Sequence, residues 1–169
     1  MQRRTAASLI AGLAGSPWLI GTAQAGSAQG GPHAPVIRLR LNAGLSAQDC
    51  VQSMQLRANL LNMKQVGDLP LSEQVQAMTG KPQRLIRVFL FCDPPTAVAM
   101  VDDGSIDFAA YLPCRITLVE DEHGQLWLVM MNLQPLIDSV PPGSPLRSKA
   151  EKVGKTLMSI MQAGARGSL

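Results

Sequence analysis

Two short segments hold the side chains most able to do chemistry, Phe91-Cys92-Asp93-Pro94 and Leu112-Pro113-Cys114-Arg115. Each sets a thiol beside a proline and a charged side chain. The apolar alternation around them puts the first segment at the end of one strand and the second at the start of another, so a sheet edge can bring Cys92 and Cys114 together. Cα atoms within about 7 Å would permit a disulfide between them in an oxidising compartment. Arg115 offers a second chemistry, because a guanidinium beside a thiol lowers its pKa and favours the nucleophilic thiolate. It can also bind an anion, while Asp93 can orient a donor. Cys92, Asp93, Cys114 and Arg115 are therefore the candidate ligand or redox site. The plainer roles are packing for the cysteines, with or without a disulfide, and surface ion pairing for the two charges.

Other chemistries find less support. Thiolates and thioethers are soft ligands that suit copper, but Cys92 and Cys114 lack Cys-x-x-Cys spacing. A metal is conceivable and otherwise unsupported, and no cofactor is evident. Among the nine methionines, Met54 and Met161 fit helical packing, and Met130-Met131 point to opposite faces of a strand. His33 falls in a small-residue stretch and His123 in a turn, neither near a second ligand. No convincing nucleophile–base pair, paired-carboxylate site or phosphate-cradling glycine motif occurs, so the reading leans away from an enzyme without excluding one, and no catalytic residue is assigned.

The elements that must position the four residues can be read in order. Val36 to Leu41 alternates as a first strand, with Ile37, Leu39 and Leu41 on one face. Ser46 caps a helix with Asp49 three residues on, and Cys50, Met54 and Leu61 with Val51 and Ala58 form its apolar stripe. Asn62 to Asp68 is a short second strand, and Ser72 and Glu73 open a short helix through Met78, stopped by Thr79-Gly80-Lys81-Pro82. Arg84 to Cys92 is the strongest strand, with Leu85, Arg87, Phe89 and Phe91 opposite Ile86, Val88, Leu90 and Cys92. Pro94-Pro95 starts a helix over Thr96 to Val101. Tyr111 to Glu120 and Gln125 to Met131 make a hairpin around Asp121-Glu122-His123-Gly124. Ser144-Pro145 begins a last helix with Ala150, Val153, Leu157, Ile160 and Met161 inward. This order predicts a single α+β domain, a mainly antiparallel sheet covered by helices.

The first 25 residues read as a signal peptide: Arg3-Arg4, a mainly apolar run from Ala6 to Ile20, then the processing site Ala23-Gln24-Ala25. The arginine pair fits an ordinary secretory or a twin-arginine signal. Residues 26–35 read as a flexible lead-in, 36–163 as the domain and 164–169 as a flexible tail. Loss of Arg3 and Arg4 lowers the 15 basic residues by two against 12 acids, so the formal charge of +3 becomes +1. Such near-neutrality disfavours a nucleic-acid partner. No later stretch is apolar enough to serve as a membrane anchor. The expected product is periplasmic or secreted, and its partner an unknown small molecule or periplasmic protein.

The segments Cys92-Asp93-Pro94 and Pro113-Cys114-Arg115 resemble the Cys-Asn-Pro and Pro-Cys segments of the bacterial and archaeal domain-of-unknown-function 302 family. The small-residue helix around Ala97–Ala99 and the acidic, glycine-containing hairpin lie in the matching order, and the similarity runs from about Val36 to Leu136. The resemblance implies a compact module with architecture related to TATA-binding-protein-like folds, without DNA binding; it implies no settled reaction. The leading expectation is an exported binding or accessory protein with a small ligand near the Cys92/Cys114 strand ends. A thiol-dependent redox protein and a structural interaction module are the alternatives.

Overall fold

A computed structural model describes residues 34–103 and 106–168 of the chain; the expected signal peptide and His33 lie outside the described residues. Five strands form one sheet in the order β1-β5-β4-β3-β2, every neighbouring pair antiparallel. The strands are β1 Val36–Arg40, β2 Lys64–Leu69, β3 Ile86–Cys92, β4 Cys114–Glu120 and β5 Leu126–Met131. The helices are α1 Ala47–Leu60, α2 Leu71–Thr79, α3 Pro94–Asp103, α4 Gln134–Ser139 and α5 Pro145–Arg166, with a 3-10 turn over Ile106–Tyr111. The α+β architecture read from the sequence is the one observed.

Period-2 alternation sorts the strand residues onto two faces. Leu39, Phe89, Phe91, Ile116, Leu118, Leu128 and Met130 lie on the face covered by α1 and α5, where they meet Cys50, Met54, Leu157, Ile160 and Met161. Phe89 and Phe91 are wholly buried, each contributing about 1.5–3 kcal/mol of hydrophobic stabilisation. At the start of α1 the Ser46 hydroxyl accepts from the Asp49 amide at 3.1 Å and the Asp49 carboxylate accepts from the Ser46 amide, a reciprocal cap. The two covering helices approach closely at Gly164, where an added Cβ would stand 2.5 Å from Met54 Cγ and 3.0 Å from Leu128 Cδ1.

The opposite face of the sheet is open. Ile86 is 40% exposed, Met131 44% and Val36 38%, and Val88, Leu90, Thr117, Val119, Trp127 and Val129 between them are half-buried. A second, smaller cluster sits beyond one end of the sheet, where Met100 of α3, Ile137 of α4 and Ala150 of α5 pack together with Phe108 and Val153. A Lys149–Asp103 ion pair ties α3 to α5.

Several elements differ from the sequence reading. The helix expected to open at Ser72 begins at Leu71, after Pro70, and the Ser72 hydroxyl accepts from the Ile86 amide at 3.1 Å. Tyr111, expected in the hairpin, belongs to the 3-10 turn. The α4 turn was not foreseen. Helix α5 runs to Arg166 with Gly164 and Ala165 buried, past the boundary expected at residue 163. At the other end, the Asn132 side-chain amide donates to the Ala34 carbonyl at 2.8 Å and its backbone N–H to that of Pro35 at 3.0 Å, so the last two lead-in residues are pinned to the sheet.

Candidate ligand site

Cys92 ends β3 and Cys114 begins β4. The ladder pairs Cys114 with Phe91, so Cys92 is offset by one residue and its side chain belongs to the other face of the pleat. All three cysteines, Cys50 included, are free thiols. The Cys92–Cys114 disulfide conceivable from the sequence is not formed here.

Burial, with a smaller contribution from Cys92, pushes the Cys114 thiol up to about 11, while Arg115 and a backbone hydrogen bond act in the opposite direction. Arg115 therefore does pull towards the thiolate, but desolvation outweighs it. Cys92 is also raised, first by burial and then by the adjacent Asp93 carboxylate. Both are held as thiols at neutral pH, contrary to what an activated nucleophile requires.

Asp93 serves the backbone. Its carbonyl accepts from the Ala97 amide at 2.9 Å, the first turn of α3, and its carboxylate accepts from the Thr96 hydroxyl at 2.7 Å. Aspartate and asparagine fill this position about equally well. Among the described residues no three His, Cys, Asp or Glu side chains gather where they could hold a metal ion.

Two cavities adjoin these strand ends, and the four candidate residues divide between them. The inner one, about 40 Å³, is a mostly apolar pocket beneath α3, the 3-10 turn and α4; Cys92, Asp93 and Cys114 line it with Met63, Phe91, Met100 and Phe108. The outer one, about 300 Å³, is lined by Val36, Arg115, Thr117, Val129 and Met131 from the open face and by Cys114, Met130 and Leu157 from the covered one. Tyr111, Cys114 and Leu133 border both. Pockets for organic ligands run from roughly 300 to 1,000 Å³, whereas a water needs only about 10–15 Å³. The inner space is thus fit for a few atoms and the outer one for a small molecule. Three larger grooves, of about 420 Å³ along α5, about 650 Å³ between α1 and β3 and about 570 Å³ around Phe108, Val140 and Leu146, contain none of the four residues.

Sequence reasoning named Cys114 and Arg115 but missed Tyr111, Thr117 and Val129. Thr117 and Val129 face each other across the β4–β5 ladder. Their only advance signal was the alternation that put them on the same face of a hairpin. The Leu112–Pro113 peptide that joins Tyr111 to β4 is cis.

The family described as "Domain of unknown function DUF302" matches residues 38–164. The crystal structure of an uncharacterized conserved DUF302 protein from Bacillus stearothermophilus is similar in fold, with a TM-score of 0.64 at 13% identity, covering 78% of this chain and 98% of that one. No curated protein is significantly similar to the chain.

Proposed function

The chain belongs to the DUF302 family, and within it we propose an exported, non-enzymatic binding or accessory protein whose small ligand occupies the strand ends around Cys114 and Arg115. The observation that carries this reading is the cavity of about 300 Å³ beside those two residues, since it has the room for an organic molecule that the inner pocket lacks. Most of its lining comes from β1, β4 and β5. A thiol-dependent redox role is the weaker reading because both strand-end thiols are raised above their ordinary pKa.

The test is a fragment screen read by amide chemical shifts. Hits should move the amides of Arg115, Thr117 and Val129, and Val129→Trp, which fills the cavity, should abolish them. Hits that move only the groove between α1 and β3, or that survive Val129→Trp, would sink the assignment. Export rests on Arg3-Arg4, the apolar run and Ala23-Gln24-Ala25. Protein recovered from the periplasm or medium should begin near Gly26; a chain found intact from Met1 in the cytoplasm would count against it.

A further inference from the structure

The open sheet face carries two arginines that the fold does not neutralise. In the ladder Arg38 of β1 is paired with Val129, and Val129 with Thr117. Arg115 lies two residues before Thr117 on β4 and therefore on the same face. Cross-strand neighbours stand about 5 Å apart and diagonal ones about 7–8 Å, within reach of a long side chain. Val129 consequently has Arg38 beside it and Arg115 diagonally across from it.

Neither arginine makes an ion pair or side-chain hydrogen bond with any described residue, in contrast to the others that are engaged. Arg87 is held by Asp68 in a two-point contact at 2.7 Å. Arg147 reaches Asp138, Glu151 and the Val140 carbonyl, and Arg40 donates to Gln125 at 2.6 Å. Asp121, the acid at the Trp127 end of this hairpin, accepts from the Trp127 indole and from the amides of His123 and Gln125. The result is uncompensated positive charge over an apolar bed of Val36, Val129 and Met131.

We infer that the outer cavity takes a small amphipathic carboxylate, its carboxyl group on Arg115 with Arg38 at the margin and its hydrocarbon part on Val36, Val129 and Met131. This rests on the ligand site proposed above and names the ligand's class. A guanidinium fork matches a carboxylate with two parallel hydrogen bonds. The apolar bed selects against a fully hydrated anion such as phosphate, whose remaining oxygens would lose water without gaining partners.

Hexanoate, 1-hexanol and inorganic phosphate, titrated separately into the purified chain and followed by the Thr117 and Val129 amide shifts, decide the matter. Hexanoate should bind, 1-hexanol at least tenfold more weakly, and phosphate without reaching the Val129 amide. Arg115→Gln should weaken hexanoate at least tenfold and Arg38→Gln by less, with unchanged spectra elsewhere to report an intact fold. Equal binding of hexanol and hexanoate, or indifference to Arg115→Gln, would overturn the carboxylate while leaving the ligand site in place. Phosphate binding as well as hexanoate would overturn the apolar half. No hexanoate binding where screening hits still map to Val129 overturns this inference alone; an absence of all hits removes the ligand site too.

Discussion

Phe91 stands directly opposite Cys114 in the β3–β4 ladder, which leaves Cys92 a neighbour of Cys114 with its side chain on the other face. Both thiols line the inner pocket, and burial keeps both protonated. With Cys114 at about 11, about one thiol in ten thousand is ionised at pH 7. Iodoacetamide at pH 7 should label Cys92 slowly, and Cys114 and Cys50 only after unfolding, as read by peptide mass spectrometry. Native labelling of Cys114 at the rate of an unstructured cysteine would contradict this account of its surroundings.

The same burial makes stability depend on alkaline pH. Cys50 is raised from 9.0 to about 12 by desolvation alone, and Cys114 to about 11. A thiol that ionises more easily in the unfolded chain stabilises the fold in full below its unfolded pKa, and that contribution is lost as pH rises through the folded values. The denaturant midpoint should therefore fall between pH 8 and pH 10.5, and fall less steeply in Cys50→Ala. A midpoint that stays flat over this interval in the wild-type chain would show that the thiols are not desolvated.

At the hairpin turn the dependence has the opposite sign. Asp121 is lowered, chiefly by the Trp127 indole N–H at 2.8 Å and then by the Gln125 amide. Its contribution is present above the usual carboxylate pKa and is lost as pH falls through the folded value. Asp121→Asn should speed amide exchange in the turn at pH 7 and alter Trp127 fluorescence, leaving α5 unaffected. Exchange rates identical to wild type would show that the turn does not need the carboxylate. Gly124, at φ +75, supplies the left-handed residue of this turn at little steric cost.

Gly164→Ala tests the contact between α1 and α5. Alanine improves helix propensity by about 1 kcal/mol, but its Cβ meets Met54, which is fully buried. Overpacking of this kind costs about 1–3 kcal/mol, so a net loss of about 1 kcal/mol is expected by chemical denaturation. The loss should shrink in a Met54→Ala background, where the obstructing side chain is absent. A stabilised single variant would show that the helices separate freely.

Lys149→Met removes the ion pair that joins α3 to α5. Both side chains are partly exposed, so the global cost should stay below about 1 kcal/mol. The local consequence should be larger: faster hydrogen exchange in α3 and the 3-10 turn, with the amides of β4 unchanged. Uniform acceleration across the domain would argue that these elements open only when the whole fold does.

Most of the frame was legible in the sequence because it rests on local rules. Ser46 and Ser144 cap the helices expected of them, and alternation sorted β3 into the two faces observed, of which the one with Phe89 and Phe91 is buried. Ser72 was misread because its hydroxyl is taken by the Ile86 backbone, a partner fourteen residues away. Tyr111 was misread because the chain between β3 and β4 makes a 3-10 turn before it enters the strand. The site was half legible. Reactive types pointed to Cys92, Asp93, Cys114 and Arg115, yet their distribution over two cavities depends on how α3, the 3-10 turn and α4 pack over the strand ends, and the identity of Val129 and Arg38 as neighbours depends on β1 pairing with β5 across about half the chain.

The α3 helix and the 3-10 turn both belong to the stretch of chain between Cys92 and Cys114, residues that already adjoin each other in the sheet. Topologically this stretch is an enlarged hairpin bend. Its length and sequence can change, or be replaced by a tight turn, without altering which strands pair. Part of the inner pocket's roof is thus supplied by a bend that the strand pairing does not itself require, whereas the outer cavity draws most of its lining from the paired strands.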